Sequence, residues 1–270
     1  MVDRITYFNV SITGIDAMSA TTSRTYPRHT HDQYGVGVID QGGHASLSDK
    51  GQVEAAAGNL IFVNPGEVHD GRAFRGSCRS WRMLYLSPPA LLAAREDVLE
   101  GGAAEAYFAS PVFEDRGLRR AFNAAFNQLT RRSGDASPVA TETAFLRLIA
   151  HLAVNLTSDS QSPKVATVSI RRALDRIHSN PGAPLSLATL AADIGTSRYQ
   201  VIRAFARELG LTPHAYIVQQ RLALARRLIR AGSALADVAT VSGFADQSHL
   251  TRAFSRQFGV TPARYGVRAA

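Results

Sequence analysis

Residues 243–265 read "GFADQSHLTRAFSRQFGVTPARY", and nearly the same pattern occurs earlier at 195–216 as "GTSRYQVIRAFARELGLTPHAY". A shift of 49 positions lays Arg203 on Arg252, Ala204 on Ala253, Phe205 on Phe254 and Arg207 on Arg256. The same shift lays Gly210, Thr212, Pro213 and Tyr216 on Gly259, Thr261, Pro262 and Tyr265. Upstream of the turn the shift becomes 48, and Leu187, Ala191 and Gly195 fall on Leu235, Ala239 and Gly243. The repeat is therefore a two-part unit joined by a turn. Its punctuation is that of helices. Ser197 followed by Gln200 has capping-box form, Gly210 and Gly259 stand where a left-handed C-terminal cap is needed, and Thr-Pro supplies an N-cap followed by proline in the first turn.

Each unit reads as helix, turn, helix. In the second helix of the first unit Val201 and Phe205, four apart, point inward. Arg198, Tyr199, Ile202 and Arg203 then lie on other faces. In the second unit Leu250 and Phe254 are the inward pair, and Gln247, Ser248, Thr251 and Arg252 form the outward set. A helix-turn-helix binds DNA by laying its second helix in the major groove. Arg suits the paired acceptors of guanine, and Gln suits the edge of adenine. The segment "PHAYIVQQRLALARRLIRAG" predicts a longer helix, about Pro213 to Arg230, linking the units. "ATVSIRRALDRIHS" predicts an amphipathic helix before them.

Charge follows the repeat. The chain has 270 residues and a formal net charge of +8. Residues 165–270 hold 14 Arg, no Lys and 5 acidic groups, a net +9, whereas residues 1–164 hold 16 basic and 17 acidic groups, a net −1. This asymmetry points to a polyanionic partner for the C-terminal part. At 270 residues two domains are expected. A single cysteine, Cys78, excludes an internal disulfide framework and fits a reducing compartment. The start "MVDRITYFNVSITG" lacks the apolar core of a signal peptide. No apolar run approaches the ~18 residues of a membrane span. The expectation is a cytoplasmic protein with no membrane partner.

From about Ser23 to Leu86 the runs "YGVGVID", "NLIFVNP" and "WRMLYLS" alternate with turn residues and predict β-structure. From about Pro88 to Leu156 the spacing becomes helical. Leu118, Phe122, Phe126 and Leu129 share one stripe, and Phe145, Leu148, Ile149 and Leu152 another. These helices either close under the β-structure or form a dimer seam. "TSDSQSPK", residues 157–164, reads as a linker. The expected organisation is a domain at 1–157, a linker at 158–164 and a second domain at 165–270.

The segments "LATLAADIGTSRYQVIRAFARELGLTPHAYI" and "LADVATVSGFADQSHLTRAFSRQFGVTPARY" resemble the DNA-binding domain of AraC/XylS-family transcription regulators. The resemblance implies two helix-turn-helix units bridged by one long helix, reaching two successive major-groove segments ~34 Å apart. Carried over by position, base contacts come from Tyr199, Ile202 and Arg203, and from Gln247, Ser248, Thr251 and Arg252, with Arg198 beside them. "RTYPRHTHDQYGVGVIDQGG" and "GNLIFVNPGEVHDG" resemble, more loosely, the cupin β-barrel sensor of such regulators. The implied fold is α+β: a cupin-like barrel with helices of its own, then an all-α reader.

His29 and His31 lie two apart on a presumed strand, and His69 follows a Pro-Gly turn. The first expectation is a polar effector pocket from His29, His31, Tyr34, His69 and Arg82, with no metal and no cofactor. Metal-binding cupins carry a glutamate four or five residues after the histidine pair. Gly35 and Val36 stand there instead. Three histidines with water as fourth ligand, a pattern known for zinc, stay open as an alternative. The resemblance implies double-stranded DNA, RNA polymerase, a small-molecule effector and a second copy of the chain as partners, and activation more often than repression. No nucleophile–base constellation appears, so the chain is not expected to be an enzyme. Two other readings are a constitutive regulator whose N-terminal domain only dimerises, and a cupin enzyme fused to a DNA reader.

Overall fold

The computed structural model describes residues 3–48, 51–74, 77–99, 107–131, 137–157 and 168–267. The chain divides into two compact units, residues 1–162 and 163–267. The expected linker, 158–164, lies outside the described residues.

The N-terminal unit begins with nine strands: β1 (Arg4–Phe8), β2 (Ile15–Thr22), β3 (Tyr26–His29), β4 (Tyr34–Gln41), β5 (Gly43–Ser48), β6 (Gly51–Ala56), β7 (Leu60–Val63), β8 (His69–Ala73) and β9 (Arg79–Leu86). Then come α1 (Pro88–Leu99), β10 (Tyr107–Phe108), β11 (Val112–Phe113), α2 (Arg116–Leu129), α3 (Pro138–Asn155) and β12 (Leu156–Thr157). A six-stranded sheet runs β1-β2-β9-β4-β7-β11, a four-stranded sheet runs β3-β8-β5-β6, and β10 pairs with β12. All the strand pairs are antiparallel.

The β-structure starts earlier than the Ser23 expected from sequence. β2, "IDAMSATT", is flanked by β1 and β9 and is buried along most of its length on both faces. A strand covered on both sides needs no alternation, so period-two reading passes over it. The helical stripes close under the sheet: Leu118, Phe122, Phe126 and Leu129 of α2 and Phe145, Leu148, Ile149 and Leu152 of α3 are buried. They share one core with Ile15, Tyr34, Val36, Val38, Leu84 and Leu86. Of the two roles the stripes allowed, the structure assigns them the intramolecular one.

The C-terminal unit is all helical: α4 (Val168–Ser179), α5 (Leu187–Asp193), α6 (Arg198–Leu209), α7 (Pro213–Arg230), α8 (Leu235–Val241), α9 (Gln247–Phe258) and α10 (Pro262–Gly266). The predicted caps are present. Ser197 and Gln200 form a reciprocal capping box at the start of α6. Thr212 and Thr261 accept from the amides of Ala215 and Arg264. Gly210 and Gly259 end α6 and α9 at φ 64° and 73°, left-handed backbone that a Cβ disfavours. Each Thr-Pro cap returns a tyrosine onto the preceding helix. Tyr216 meets Phe205 edge-on at 6.0 Å, and Tyr265 meets Phe254 edge-on at 5.4 Å. Thus the repeat conserves a packing pair as well as its caps.

Arg221, in the middle of α7, ties the two halves together. Its guanidinium donates to the carbonyls of Pro181 (3.0 Å) and Ala183 (3.0 Å), after α4, and of Gly243 (2.7 Å), in the turn between α8 and α9. Gly182 and Gly243 touch backbone to backbone here. A Cβ on Gly182 would lie 2.1 Å from the Val241 carbonyl, and one on Gly243 2.5 Å from the Gly182 carbonyl. Arg221→Met keeps the aliphatic stem and removes three charge-assisted hydrogen bonds. The expected loss is about 2–4 kcal/mol from the C-terminal unit. Amide exchange of α8 and α9 in the full chain measures it, and unchanged protection would show that the joint bears no stability.

Candidate functional site

In the first helix-turn-helix, Val201 and Phe205 are fully buried beneath α6. Arg198, Tyr199, Ile202 and Arg203 face solvent. Tyr199 is 67% exposed, a large apolar-bodied side chain presented to solvent. The Arg203 guanidinium sits 6.0 Å from the Tyr199 ring centre, so the two present one continuous edge. In the second unit Leu250 and Phe254 are fully buried. Gln247, Ser248 and Arg252 are exposed and Thr251 is half-buried. Asp246 caps α9 by accepting from the His249 amide at 2.6 Å. All eight sequence-predicted reading residues thus lie in α6 or α9, away from the buried pairs, and seven of them are exposed. Arg221 escaped the sequence reading. Its i+4 neighbours look like any amphipathic helix, and only the loops it meets reveal it.

In the N-terminal unit the structure brings His29, His31 and His69 together. Their ligand nitrogens all lie within 4.8 Å of one another. The ring centroids of His29 stand 4.9 Å from His31 and 4.4 Å from His69. The Nδ1 atoms of His29 and His69 lie 2.7 and 3.2 Å from the carbonyls of Pro27 and Glu67. A carbonyl only accepts, so each Nδ1 carries the proton and each Nε2 keeps its lone pair. Burial lowers the pKa of His29 below its ordinary value and that of His69 well below, which keeps both imidazoles neutral at pH 7. Neutral imidazoles steadied from behind by carbonyls form a donor set that suits a divalent ion. Gly35, at the expected glutamate position, brings no carboxylate.

Tyr34 and Arg82 are not part of this group. Tyr34 lies in the apolar core, 5.9 Å edge-on from Phe108. Arg82 pairs with Asp40 at 2.7 Å, donates to Asn123 of α2 at 2.7 Å, and lies over the Phe122 and Phe126 rings. The reason is strand parity. Arg82, Leu84 and Leu86 face the helices, and the residues between them, Arg79, Trp81, Met83 and Tyr85, face the other way. Tyr85 meets His31 at 5.0 Å, and Trp81 meets both His44 of β5 (6.3 Å) and Tyr26 of β3 (6.2 Å). The two sheets therefore face each other across a lining of histidine and aromatic side chains. Gly35 and Gly37 of β4 make room for Met83, whose Sδ would lie 2.0 Å from a Cβ on Gly37.

Arg79 is the unexpected member. It is only 1% exposed, and Nε, Nη1 and Nη2 have no hydrogen-bond partner among the described residues. Its guanidinium stacks 4.9 Å over Trp81. Burial lowers its pKa to about 10, which leaves it charged at pH 7. His44 beside it is lowered to about 3, first by burial and then by the Arg79 charge.

His29, His44 and His69 make stability pH-dependent in a fixed direction. Each has a folded pKa below its unfolded value of ~6.5, so its contribution is complete above pH 6.5. It is lost as pH falls from there, for His44 down to about 3. Each group costs roughly 1.4 kcal/mol per pH unit inside its window. Trp81, the single tryptophan, touches His44 and Arg79 and reports on this group. Urea unfolding followed by its fluorescence should weaken between pH 7 and pH 5, and His44→Gln should flatten that slope.

Comparison with known proteins bears on both units. Residues 9–149 match the model described as AraC-like ligand binding domain, and residues 190–268 match a helix-turn-helix domain model. The HTH-type transcriptional regulator YbfI of Bacillus subtilis is 26% identical over 228 residues, 83% of this chain and 81% of that one. The HTH-type transcriptional activator RhaS of Pectobacterium carotovorum is 22% identical over 248 residues, 90% of this chain and 88% of its own. Among solved structures, apo ToxT from Vibrio cholerae superposes with a TM-score of 0.59 at 13% identity, covering 96% of this chain and 99% of its own. ToxT bound to an unsaturated fatty acid gives 0.58 at 12% identity, covering 100% and 98%. No helix among the described residues is long and apolar enough to cross a membrane. The chain belongs to the AraC family of transcriptional regulators, with an AraC-like ligand-binding domain ahead of a helix-turn-helix DNA-binding domain.

Proposed function

We propose that this regulator reads an asymmetric site spanning two turns of duplex DNA, under control of a small molecule held between the sheets of its N-terminal unit. Tyr199, Ile202 and Arg203 read one major-groove segment, with Arg198 at the edge. Gln247, Ser248, Thr251 and Arg252 read the next. The observation that carries this reading is the solvent-facing set on α6 and α9, above helices anchored by equivalent buried phenylalanines. An exposed Ile202 suits a thymine methyl, and the two arginines suit guanine. The domains run 1–157 and 165–270, joined by the linker 158–164. A second copy packs on the outer groove between α2 and α3, about 770 Å³, where Ala121, Ala124, Ala140 and Ala144 leave room between Arg120, Arg131 and Arg147. The similarity to RhaS, a transcriptional activator, supports activation, through RNA polymerase recruited beside the site. The chain is a cytoplasmic regulator and not an enzyme.

A footprint on the DNA upstream of its own gene tests this, with sedimentation of the same samples. Protection of two adjacent turns on one face of the duplex is expected. Arg203→Ala and Arg252→Ala should each cost about 1–3 kcal/mol and relax preference at one position. Equal weakening on every sequence would make these arginines phosphate contacts. A monomer at micromolar concentration on DNA would remove the second copy.

A second reading rests on the three-histidine group. A divalent ion held by His29, His31 and His69 would offer an open coordination position to an effector oxygen. Metal analysis of protein purified without chelator should find close to one ion per chain, lost in His69→Ala. Absence of stoichiometric metal leaves the polar pocket alone.

A further inference from the structure

We infer that Arg79 is the anion-recognising residue of the N-terminal pocket, and that the effector is an organic monocarboxylate. The inference rests on the reading of this unit as an effector pocket and adds the chemical class. A guanidinium carries five N–H donors in a planar fork and cannot be neutralised by losing a proton. Buried, it needs acceptors and a counter-charge. Arg79 is 1% exposed, and none of its three nitrogens has a hydrogen-bond partner in the protein among the described residues. Tyr26 and Cys78, which favour its charged form, are not carboxylates. Contrast Arg82, three residues on, which faces the opposite way and is met by Asp40 and Asn123. One arginine of β9 is fully paired by its own chain and the other is not.

The surroundings of Arg79 narrow the class. Trp81 backs the guanidinium on one face at 4.9 Å, which holds the fork in plane. His44 stands close by. A Cβ on Gly71 would lie 3.2 Å from the His44 ring and 3.7 Å from Arg79 Nη2, so both side chains gather over this glycine. His44 Nδ1 is also buried without a partner. A carboxylate bound by the fork through two parallel hydrogen bonds leaves a lone pair for that ring nitrogen to donate to. Tyr26, Trp81 and Met83 supply an apolar wall for the remainder of the molecule. Charge decides between anions. The guanidinium contributes one positive charge in a planar fork that matches a carboxylate. One negative charge balances it, whereas a phosphate dianion would leave an excess.

The test uses the full-length chain and three probes at matched ionic strength: acetate, hexanoate and phenylacetate, each against its primary amide. A saturable rise in melting temperature is expected with the carboxylates, with the amides binding roughly tenfold or more weakly. Arg79→Met should lose the carboxylate response, and Arg72→Gln, an exposed arginine on β8, should keep it. Without added anion, Arg79→Met should melt at or above the wild-type temperature, because it removes an unpaired buried charge. A variant that fails to fold or melts well below wild type would make Arg79 a structural residue and overturn the inference. So would equal carboxylate responses in wild type and Arg79→Met, or no response in wild type. Footprints of both proteins separate the readings. An intact footprint with no carboxylate response overturns the anion site alone. A carboxylate response that leaves the footprint and transcription unchanged keeps the anion site and removes its role as effector pocket.

Discussion

The C-terminal unit depends on one side chain placed where two loops must meet. Arg221 carries a charge into a half-buried joint, and the three carbonyls it finds there come from both sides of α7. Those carbonyls are main-chain groups, so the contact fixes the path of the backbone and not merely the position of a neighbouring side chain. Gly182 and Gly243 let the two loops touch, since neither could carry a Cβ in that space. The equivalent glycine of the first repeat, Gly195, takes a similar left-handed φ of 66° with nothing within 4 Å of a Cβ. The repeats therefore share one local rule and differ in tertiary use. In the first, glycine ends a helix turn. In the second, it also makes way for the rest of the domain.

The N-terminal unit is organised by the two faces of β9. Toward α2 and α3 it offers Leu84 and Leu86 to the apolar core, with Arg82 satisfied at the rim. Toward β3, β5 and β8 it offers Arg79, Trp81, Met83 and Tyr85 to a group of buried and half-buried histidines. The first face is what a stable domain needs. The second gathers polar groups that a stable domain would do without, because desolvating them opposes folding unless something pairs them. A strand that builds the core with one face leaves the residues of its other face free to change without loss of that core.

What the sequence made legible was whatever is written in local spacing. The caps at Ser197, Thr212 and Thr261, the left-handed glycines and the inward pairs Val201/Phe205 and Leu250/Phe254 all act within one or two helical turns. The boundaries of α7 follow from the same signals. The grouping of His29, His31 and His69 came from the cupin resemblance: His29 and His69 are partners across β3 and β8, whereas His31 lies beyond the end of β3 and not on the strand that period two presumed. Strand β2 was not legible, since burial on both faces erased its alternation. Tyr34 and Arg82 were placed with the histidines because residue chemistry alone does not say which face of a strand is inward. Parity needs a partner strand to define it. Arg79 and Arg221 owe their importance to groups distant in the chain, and no local pattern marks them.

Helix α7 has 18 residues and is about 27 Å long, and both recognition elements are fastened to it. A rigid helix of fixed length acts as a gauge. One residue inserted into it would swing one reader about 100° around the axis relative to the other. On the DNA side, one extra base pair between the two segments would turn the second away by about 35°. Regulators that reach separate half-sites through flexible arms tolerate such drift in promoter spacing. If α6 and α9 read neighbouring segments as proposed, a helix of this length leaves little such tolerance. On the proposed two-segment reading, promoters under this protein can exchange individual bases as they diverge but must keep the phase between the two segments.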